Sequence, residues 1–209
     1  MEADVNEKIG GGSITSFPIA ETQSGDVSDY IITNLMSITD GHIFLDANMM
    51  HEGILPAVNS GLSVSRIGSK VQSPMLKKLG ELTGRALARY QEVKSFETMN
   101  TEVAEETLRD IKRGKIVTEI LAQPSDTNFS TDEEVMILFL ATGGHLDKFV
   151  LTKVGEFSDE FTEFIRKNRT DELVEKCLTL KDPKEIEAEV MALYDEFMKE
   201  HDDYIEKEE

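Results

Sequence analysis

The sequence predicts a partial α/β region followed by a helical bundle, with the change falling between Arg66 and Ser73. Three observations carry this reading. Short apolar runs bounded by Gly, Asp and Asn fill the first part of the chain, as strands and tight turns require. From Ser73 the apolar residues recur every three or four positions, the period of one helix face. Helix start and stop signals then punctuate the remainder of the chain. The expected division is residues 1–72 and residues 73–209.

In the first region, Ser13 to Ala20 and His42 to Asp46 read as short buried strands. Gly25-Asp26 and Asp40-Gly41 mark turns, and Pro18 limits pairing in the first run. These few strands make half of a parallel sheet. Ser73-Pro74 is a helix start, a serine N-cap with proline in the first helical position. Leu76, Leu79, Leu82, Leu87, Tyr90 and Val93 then line one face. A second helical segment uses Val103, Thr107, Leu108 and Ile111, is interrupted at Gly114, and continues through Val117, Ile120 and Leu121 to a stop at Pro124. Ser130 and Glu133 form a capping box before the apolar run Val135 to Ala141, which Gly143-Gly144 ends. Val154, Phe157, Phe161 and Phe164 read as a core stripe. Asp182-Pro183-Lys184-Glu185 opens a last helix that buries Ile186, Val190, Leu193 and Phe197. The charged end, Glu200 to Glu209, is expected to fray.

Composition narrows the functional classes. A chain of 209 residues with 39% hydrophobic and 30% charged residues suits a globular protein. No apolar run approaches the ~20 residues that span a bilayer, so direct membrane insertion is not expected. The net charge is −19, and residues 1–100 carry only 8 basic and 12 acidic side chains, so most of the excess lies in the helical part. Such a balance argues against nucleic acid, whose phosphates need a basic face. It fits solvated helix faces, or complementarity to a basic partner. The single cysteine, Cys177, reads as packing. His42, His51, His145 and His201 are scattered without ligand spacing, so no metal site is expected. No serine–histidine or cysteine–histidine arrangement stands out as nucleophilic machinery.

The segment GLSVSRIGSK, Gly61 to Lys70, carries the chemistry. It places one arginine, Arg66, in a glycine-bounded turn with hydroxyls at Ser63 and Ser65; a guanidinium there is a permanent, planar, forked donor suited to phosphate oxygens. Spacing alone leaves a salt-bridged arginine at a strand end equally open. Upstream stand GGGSIT (Gly10 to Thr15), ETQSGDVSDYI (Glu21 to Ile31) and SITDGHIFLD (Ser37 to Asp46), and GILPAVNSGLSVSR runs into Arg66. In that order and at those separations these motifs resemble the alpha-subunit family of the F-type rotary ATP synthases. The beta subunit is the nearest confusable relative, but its acidic DELSEED motif is not found; Thr101 to Gly114 reads TEVAEETLRDIKRG.

The resemblance implies a fold, a role and partners. Residues 1–72 would be the C-terminal half of a nucleotide-binding α/β domain, a partial P-loop NTPase (RecA-like) sheet region lacking its phosphate loop. Residues 73–209 would be the helical C-terminal domain. No G-x-x-x-x-G-K-[ST] pattern occurs in the chain, so the isolated chain is expected to be inactive as an ATPase and to bind no cofactor. Mg²⁺ with ATP or ADP belongs to the assembled complex. Arg66 would act as an arginine finger in trans at a beta-subunit catalytic site, with Ser63 and Ser37 as supporting hydroxyls. Local turn backbone is the competing use of both serines. Gln123 and Pro56 fall where the family has residues of a non-catalytic nucleotide site, but Leu55 and Ser125 depart from the family pattern. Implied partners are the beta subunit, the N-terminal half of alpha and the central stalk, in an alternating alpha/beta hetero-oligomer coupled to proton or sodium transport. The implied location is peripheral, on the cytoplasmic face of an energy-transducing membrane, or the matrix side in mitochondria. The alternative is a non-catalytic, alpha-like interaction module that docks onto an ATPase.

Overall fold

A computed structural model describes residues 2–4, 10–23, 25–98, 104–123 and 127–206. The readings placed on Val103, Pro124 and Ser125 lie outside these residues. The chain divides into two compact units, Met1–Val71 and Gln72–Glu209. It is mostly helical, and among the described residues the small strands lie in the first unit.

In the first unit, strand β1 (Glu2–Asp4) pairs antiparallel with β2 (Ser13–Thr15), Ala3 opposite Ile14. A second ribbon joins β3 (Gly41–His42) to β4 (Val64–Ser65), also antiparallel, Gly41 opposite Ser65. The expected half of a parallel sheet is therefore two short antiparallel ribbons, and the strands are shorter than their apolar runs. The reason is local: each run finds a partner within the unit for only two or three residues, and Leu45 continues as an isolated bridge to Val58. The runs are not buried either. Ile14, Phe17, Ile19, Ile43 and Leu45 are all exposed. Among the unit's described residues, only Ile32, Thr39 and Ala57 are buried.

Two helices in this unit escaped the periodicity. Helix α1 (Tyr30–Ile38) starts at Asp29, whose Oδ1 accepts from the Ile31 N–H at 2.8 Å. Helix α2 (Ala47–His51) starts at Asp46, whose Oδ1 accepts from the Asn48 N–H at 2.9 Å. Both are short and carry no long apolar stripe, so only their aspartate caps could have disclosed them.

The second unit holds the core. Its elements are α3 (Pro74–Thr98), α4 (Glu105–Leu121), α5 (Thr131–Gly143), α6 (Val154–Asn168), α7 (Asp171–Thr179) and α8 (Glu187–Met198). Ser73 caps α3, its Oγ accepting from the Leu76 N–H at 3.2 Å. Met75 and Leu79 of α3, Ile116 and Val117 of α4, and Val135, Met136 and Leu140 of α5 interlock as one apolar cluster. Phe149, Phe157, Phe161, Tyr194, Phe197 and Tyr204 extend it as a field of rings; Phe149 meets Phe157 edge-on at 4.8 Å. Cys177 is fully buried in this core, and burial, with the charges of Asp132 and Glu189, pushes its thiol up to about 12. It is a packing residue.

Two expectations are corrected by this unit. Gly114 does not interrupt α4; the helix runs through it, and Gly114 faces Tyr90 of α3. A Cβ at position 114 would collide with the Tyr90 ring root, so the glycine answers to packing and not to a break in the helix. Nor does the charged end fray throughout. Residues Asp202–Tyr204 form a 3₁₀ turn, Phe149 bridges Ile205, and Tyr204 is buried. The Tyr204 hydroxyl donates to Glu160 Oε2 at 2.7 Å, and Lys112 Nζ meets Glu206 Oε2 at 2.7 Å. One aromatic anchor outweighs the surrounding charge.

This packing makes two outcomes testable. Gly114→Ala gains about 1 kcal/mol of helix propensity but overpacks the Tyr90 crossing by about 1–3 kcal/mol, so urea unfolding should show net destabilisation; a more stable variant would mean the crossing has slack. Tyr204→Ala should cost on the order of 3 kcal/mol, in line with loss of a buried ring. Hydrogen exchange in the same variant should speed up at Val150 and Glu206, whose amides donate to Tyr204 and Lys148 carbonyls.

Candidate functional site

Arg66 follows β4 directly and is positioned by main-chain contacts at both ends. Its N–H donates to the Asp40 carbonyl at 2.8 Å. Its guanidinium donates from Nη1 to the Ser37 carbonyl at 2.9 Å and from Nη2 to the Met36 carbonyl at 3.2 Å. Those carbonyls belong to the last turn of α1, where helix carbonyls lack intrahelical partners and the macrodipole is negative. The fork is thus aimed by two neutral acceptors. Among the described residues no carboxylate pairs with it, and Arg66 remains exposed on a groove of about 290 Å³ lined by Thr33, Met36, Ser37, His42 and Val64. An arginine held this way keeps its charge unneutralised and keeps donors for a further oxygen.

Gly41 sets the geometry that allows this. A Cβ there would lie 2.5 Å from the Val64 carbonyl oxygen, so the approach of β3 to β4 requires glycine. His42 Nε2 donates to the Leu62 carbonyl at 2.9 Å, and Asn59 organises the loop before β4. Asn59 Oδ1 accepts from the Gly61 and Leu62 N–H groups at 3.0 and 3.1 Å, while its Nδ2 donates to Asp46 Oδ2 at 3.1 Å. Those contacts, chiefly the backbone donors at Asn48 and then the Asn59 amide, hold the Asp46 carboxyl below its ordinary value.

The two serines serve differently from one another. Ser37 meets Arg66 through its carbonyl, while its hydroxyl donates back to the Asn34 carbonyl at 2.7 Å. Ser63 donates to the Asn59 carbonyl at 2.7 Å and accepts from the Phe44 N–H at 3.0 Å. Its hydroxyl is committed to bracing the loop against residue 44 and does not touch the guanidinium. Pro56 is exposed in the same unit, after the cis Leu55–Pro56 bond. The carbonyls of Met36 and Asp40, the Asn59 hub and the Gly41 approach were not singled out from the sequence. Asp40-Gly41 was read from the sequence only as a turn, whereas Gly41 opens β3 and pairs with Ser65.

Gln123 belongs to the second unit, just beyond α4, and lines a second groove of about 290 Å³. Gln72, Leu76, Thr83, Phe129, Glu134 and Leu138 share that groove. Glu134 sits half-buried in the first turn of α5 beside Glu133. Burial first, and the Glu133 charge second, raise its carboxyl above the ordinary value. Among the described residues there is no group of side chains that could hold a metal ion, and no helix long and apolar enough to cross a membrane.

Residues 72–201 match the family model for the ATP synthase alpha/beta chain, C-terminal domain. Residues 2–65 match that for the ATP synthase alpha/beta family, nucleotide-binding domain. The chain belongs to the ATP synthase alpha/beta family. Within it the similarity is to alpha subunits: "ATP synthase subunit alpha" of Macrococcus caseolyticus is 40% identical over 166 residues, covering 79% of this chain and 33% of the relative. The same subunit of Lactiplantibacillus plantarum is 39% identical over 169 residues, covering 81% and 34%. The chain thus spans about a third of the length of the curated relatives it matches, and corresponds to the C-terminal portion of an alpha subunit.

The neighbouring carboxylates Glu133 and Glu134 should respond oppositely to pH. Burial opposes ionisation of Glu133, but the Arg166 fork and the Ser130 N–H outweigh it and hold its carboxyl below the ordinary value. Its contribution to stability is therefore present above the unfolded-state value of about 4.3 and is lost as pH falls through the lower folded value. Glu134, raised in the fold, works the other way: its contribution is present below the unfolded value and is lost as pH rises through the folded one. Glu133→Gln should cost about 1.5–3 kcal/mol at pH 7, because it replaces charge-assisted hydrogen bonds from the partly exposed Arg166 and Arg169 to a buried acceptor with neutral ones. Glu134→Gln should raise the urea midpoint at pH 7 and leave it unchanged near pH 3. Destabilisation of Glu134→Gln at pH 7 would show that this carboxylate has a stabilising partner in the fold.

Proposed function

We propose that this chain is the alpha-type portion of an ATP synthase catalytic head and presents Arg66, in trans, to a nucleotide held chiefly by a beta subunit. The single observation that carries this is the Arg66 fork: exposed, aimed by two helix carbonyls and paired with no carboxylate among the described residues. An arginine needed only for local structure would satisfy the same carbonyls but gain nothing from remaining accessible and unneutralised. Charge delivered to the equatorial oxygens of a transferring phosphoryl group contributes roughly 10³–10⁵ in rate. In this reading Ser37 orients the finger through its carbonyl, and Ser63 keeps the loop that carries it rigid. Residues 1–72 act as the C-terminal half of the nucleotide-binding domain and residues 73–209 as the helical domain.

In this reading the nucleotide at Arg66 is held chiefly by a neighbouring chain. There is no phosphate loop in the sequence, and one guanidinium fits an anionic oxygen brought by a neighbour. Mg²⁺ with ATP or ADP would be held in the assembled complex and would supply the phosphoryl group. Gln123 and Pro56 are proposed for a non-catalytic nucleotide site of that assembly. The exposed apolar side chains Phe17, Ile19, Ile31 and Val71 of the first unit support association with the beta subunit and the remainder of an alpha nucleotide-binding domain. Coupling to ion transport through a central stalk, from the peripheral face of an energy-transducing membrane, belongs to the same reading.

The test is multisite ATPase turnover in reconstituted complexes whose composition is confirmed by native mass spectrometry. Arg66→Ala should lower turnover by about 10³-fold or more, and Arg66→Lys nearly as far, because a lysine point charge cannot reproduce the planar fork. Substrate affinity should suffer much less than turnover, since the ground-state phosphates stay held elsewhere. Fully assembled Arg66→Ala complexes that turn over within a few-fold of wild type would make Arg66 structural.

A further inference from the structure

The helical unit matches its sequestered negative charges with one exception. Its described carboxylates that are buried or half-buried are Asp110, Asp132, Glu133, Glu134, Asp147 and Glu189. Asp110 meets Arg89, Asp132 meets Arg169, Glu133 meets Arg166 and Arg169, Asp147 meets Arg113, and Glu189 meets Lys176. Glu134 has no cation or hydroxyl partner among the described residues. It lines the groove of about 290 Å³ formed by α3, the end of α4, α5 and Phe129.

The walls of this groove are largely apolar. Leu76, Ile120, Phe129, Ile137 and Leu138 supply them, and a Cβ at Gly80 would meet nothing within 4 Å, so the groove stays open at α3. A carboxylate drawn partly out of water and left without a counter-charge disfavours its own ionised form, and a cation brought to it recovers that loss. The apolar walls reward an uncharged body attached to the cation, and a ring in the wall, such as Phe129, adds attraction for positive charge. The volume lies at the bottom of the range for ligand pockets and does not hold a whole nucleotide; Gln123, proposed above for a nucleotide of the assembly, also lines it, but the groove's own charge, that of Glu134, suits a cation and not phosphate. We propose that this groove is a binding site for a small organic cation, an ammonium group on an aliphatic or aryl body, with Glu134 as its counter-ion and the α3–α5 wall as its apolar bed. The site is separate from the Arg66 groove in residues and opposite in charge.

The probes are 4-phenylbutylammonium and its neutral counterpart 4-phenylbutanol, each titrated into the ¹⁵N-labelled full chain at pH 7 and followed by amide shifts. The ammonium should give saturable shifts centred on Gly80, Phe129 and Ile137, with an affinity at least tenfold above that of the alcohol. Glu134→Gln, which keeps the side-chain shape, should remove that preference and leave the two probes alike. Gly80→Leu, filling the open wall, should weaken both. Equal affinity of the two probes for the wild type, shifts centred elsewhere, or a preference surviving in Glu134→Gln would each overturn the proposal.

Discussion

Glu133 is the constraint on which the helical unit depends. Its side chain is only 2% exposed, yet it accepts from the Ser130 N–H at 2.9 Å, from Arg166 at 2.9 and 3.0 Å, and from Arg169 at 3.1 Å. A carboxylate taken so far from water is tolerable only when its oxygens are filled this completely. The three arginine contacts tie the start of α5 to the last turn of α6 and the residue beyond it, and the Ser130 N–H closes the α5 cap. Arg166 also donates to the Asn128 carbonyl, which extends the clamp to the segment ahead of α5. With the α5 start pinned, Val135, Met136, Phe139 and Leu140 enter the core in a single register, and Glu134, the next residue on the helix, is turned towards the groove. The same clamp that satisfies one carboxylate leaves its neighbour without a cation partner among the described residues.

The first unit solves the reverse problem. There the conspicuous charge is a cation, and it is oriented without being neutralised. Helix carbonyls at the C-terminal end of α1 offer Arg66 hydrogen bonds and a favourable dipole, but no full negative charge that would cancel its own. A salt bridge would have fixed the side chain equally well but would have cancelled its charge. The thin burial of this unit, with Ile32 and Ala57 as its buried apolar residues among those described, contrasts with the dense core of the helical unit. Its local precision comes instead from hydrogen bonds at Asp46, Asn59 and Ser63, and from the close strand approach at Gly41.

Much of this was legible in residue order. Ser73-Pro74, Ser130 with Glu133 and Gly143-Gly144 rest on contacts within a few residues, so they act alike in sequence and structure. The stripe through Val154, Phe157 and Phe161 was legible from its helical period, although its partners Tyr194, Phe197 and Tyr204 are distant in the chain. Arg66 was legible as a motif because its chemistry lies in the side chain itself. Helices α1 and α2 were not, since five to nine residues carry too little periodicity to announce a helix. Tyr204 was hidden by averaging: the charged composition of the last ten residues describes their solvation, whereas one ring in the pocket of Phe149, Phe157 and Phe197 decides where the segment lies.

What the sequence by itself determined is the order of elements, the helix boundaries set by local caps, the acidic imbalance and the presence of one arginine in an alpha-like turn. These depend on neighbours in the chain, or on side-chain chemistry that no fold can change. The tertiary structure alone decided which charges are matched. It placed the Met36 and Ser37 carbonyls under Arg66 from thirty and twenty-nine residues away, turned the Ser63 hydroxyl into a brace, made Gly114 a crossing point and left Glu134 facing an apolar groove without a counter-ion. Such outcomes depend on which groups long stretches of chain bring within about 3 Å of one another. Desolvation acts on that final arrangement, and residue order carries no direct record of it.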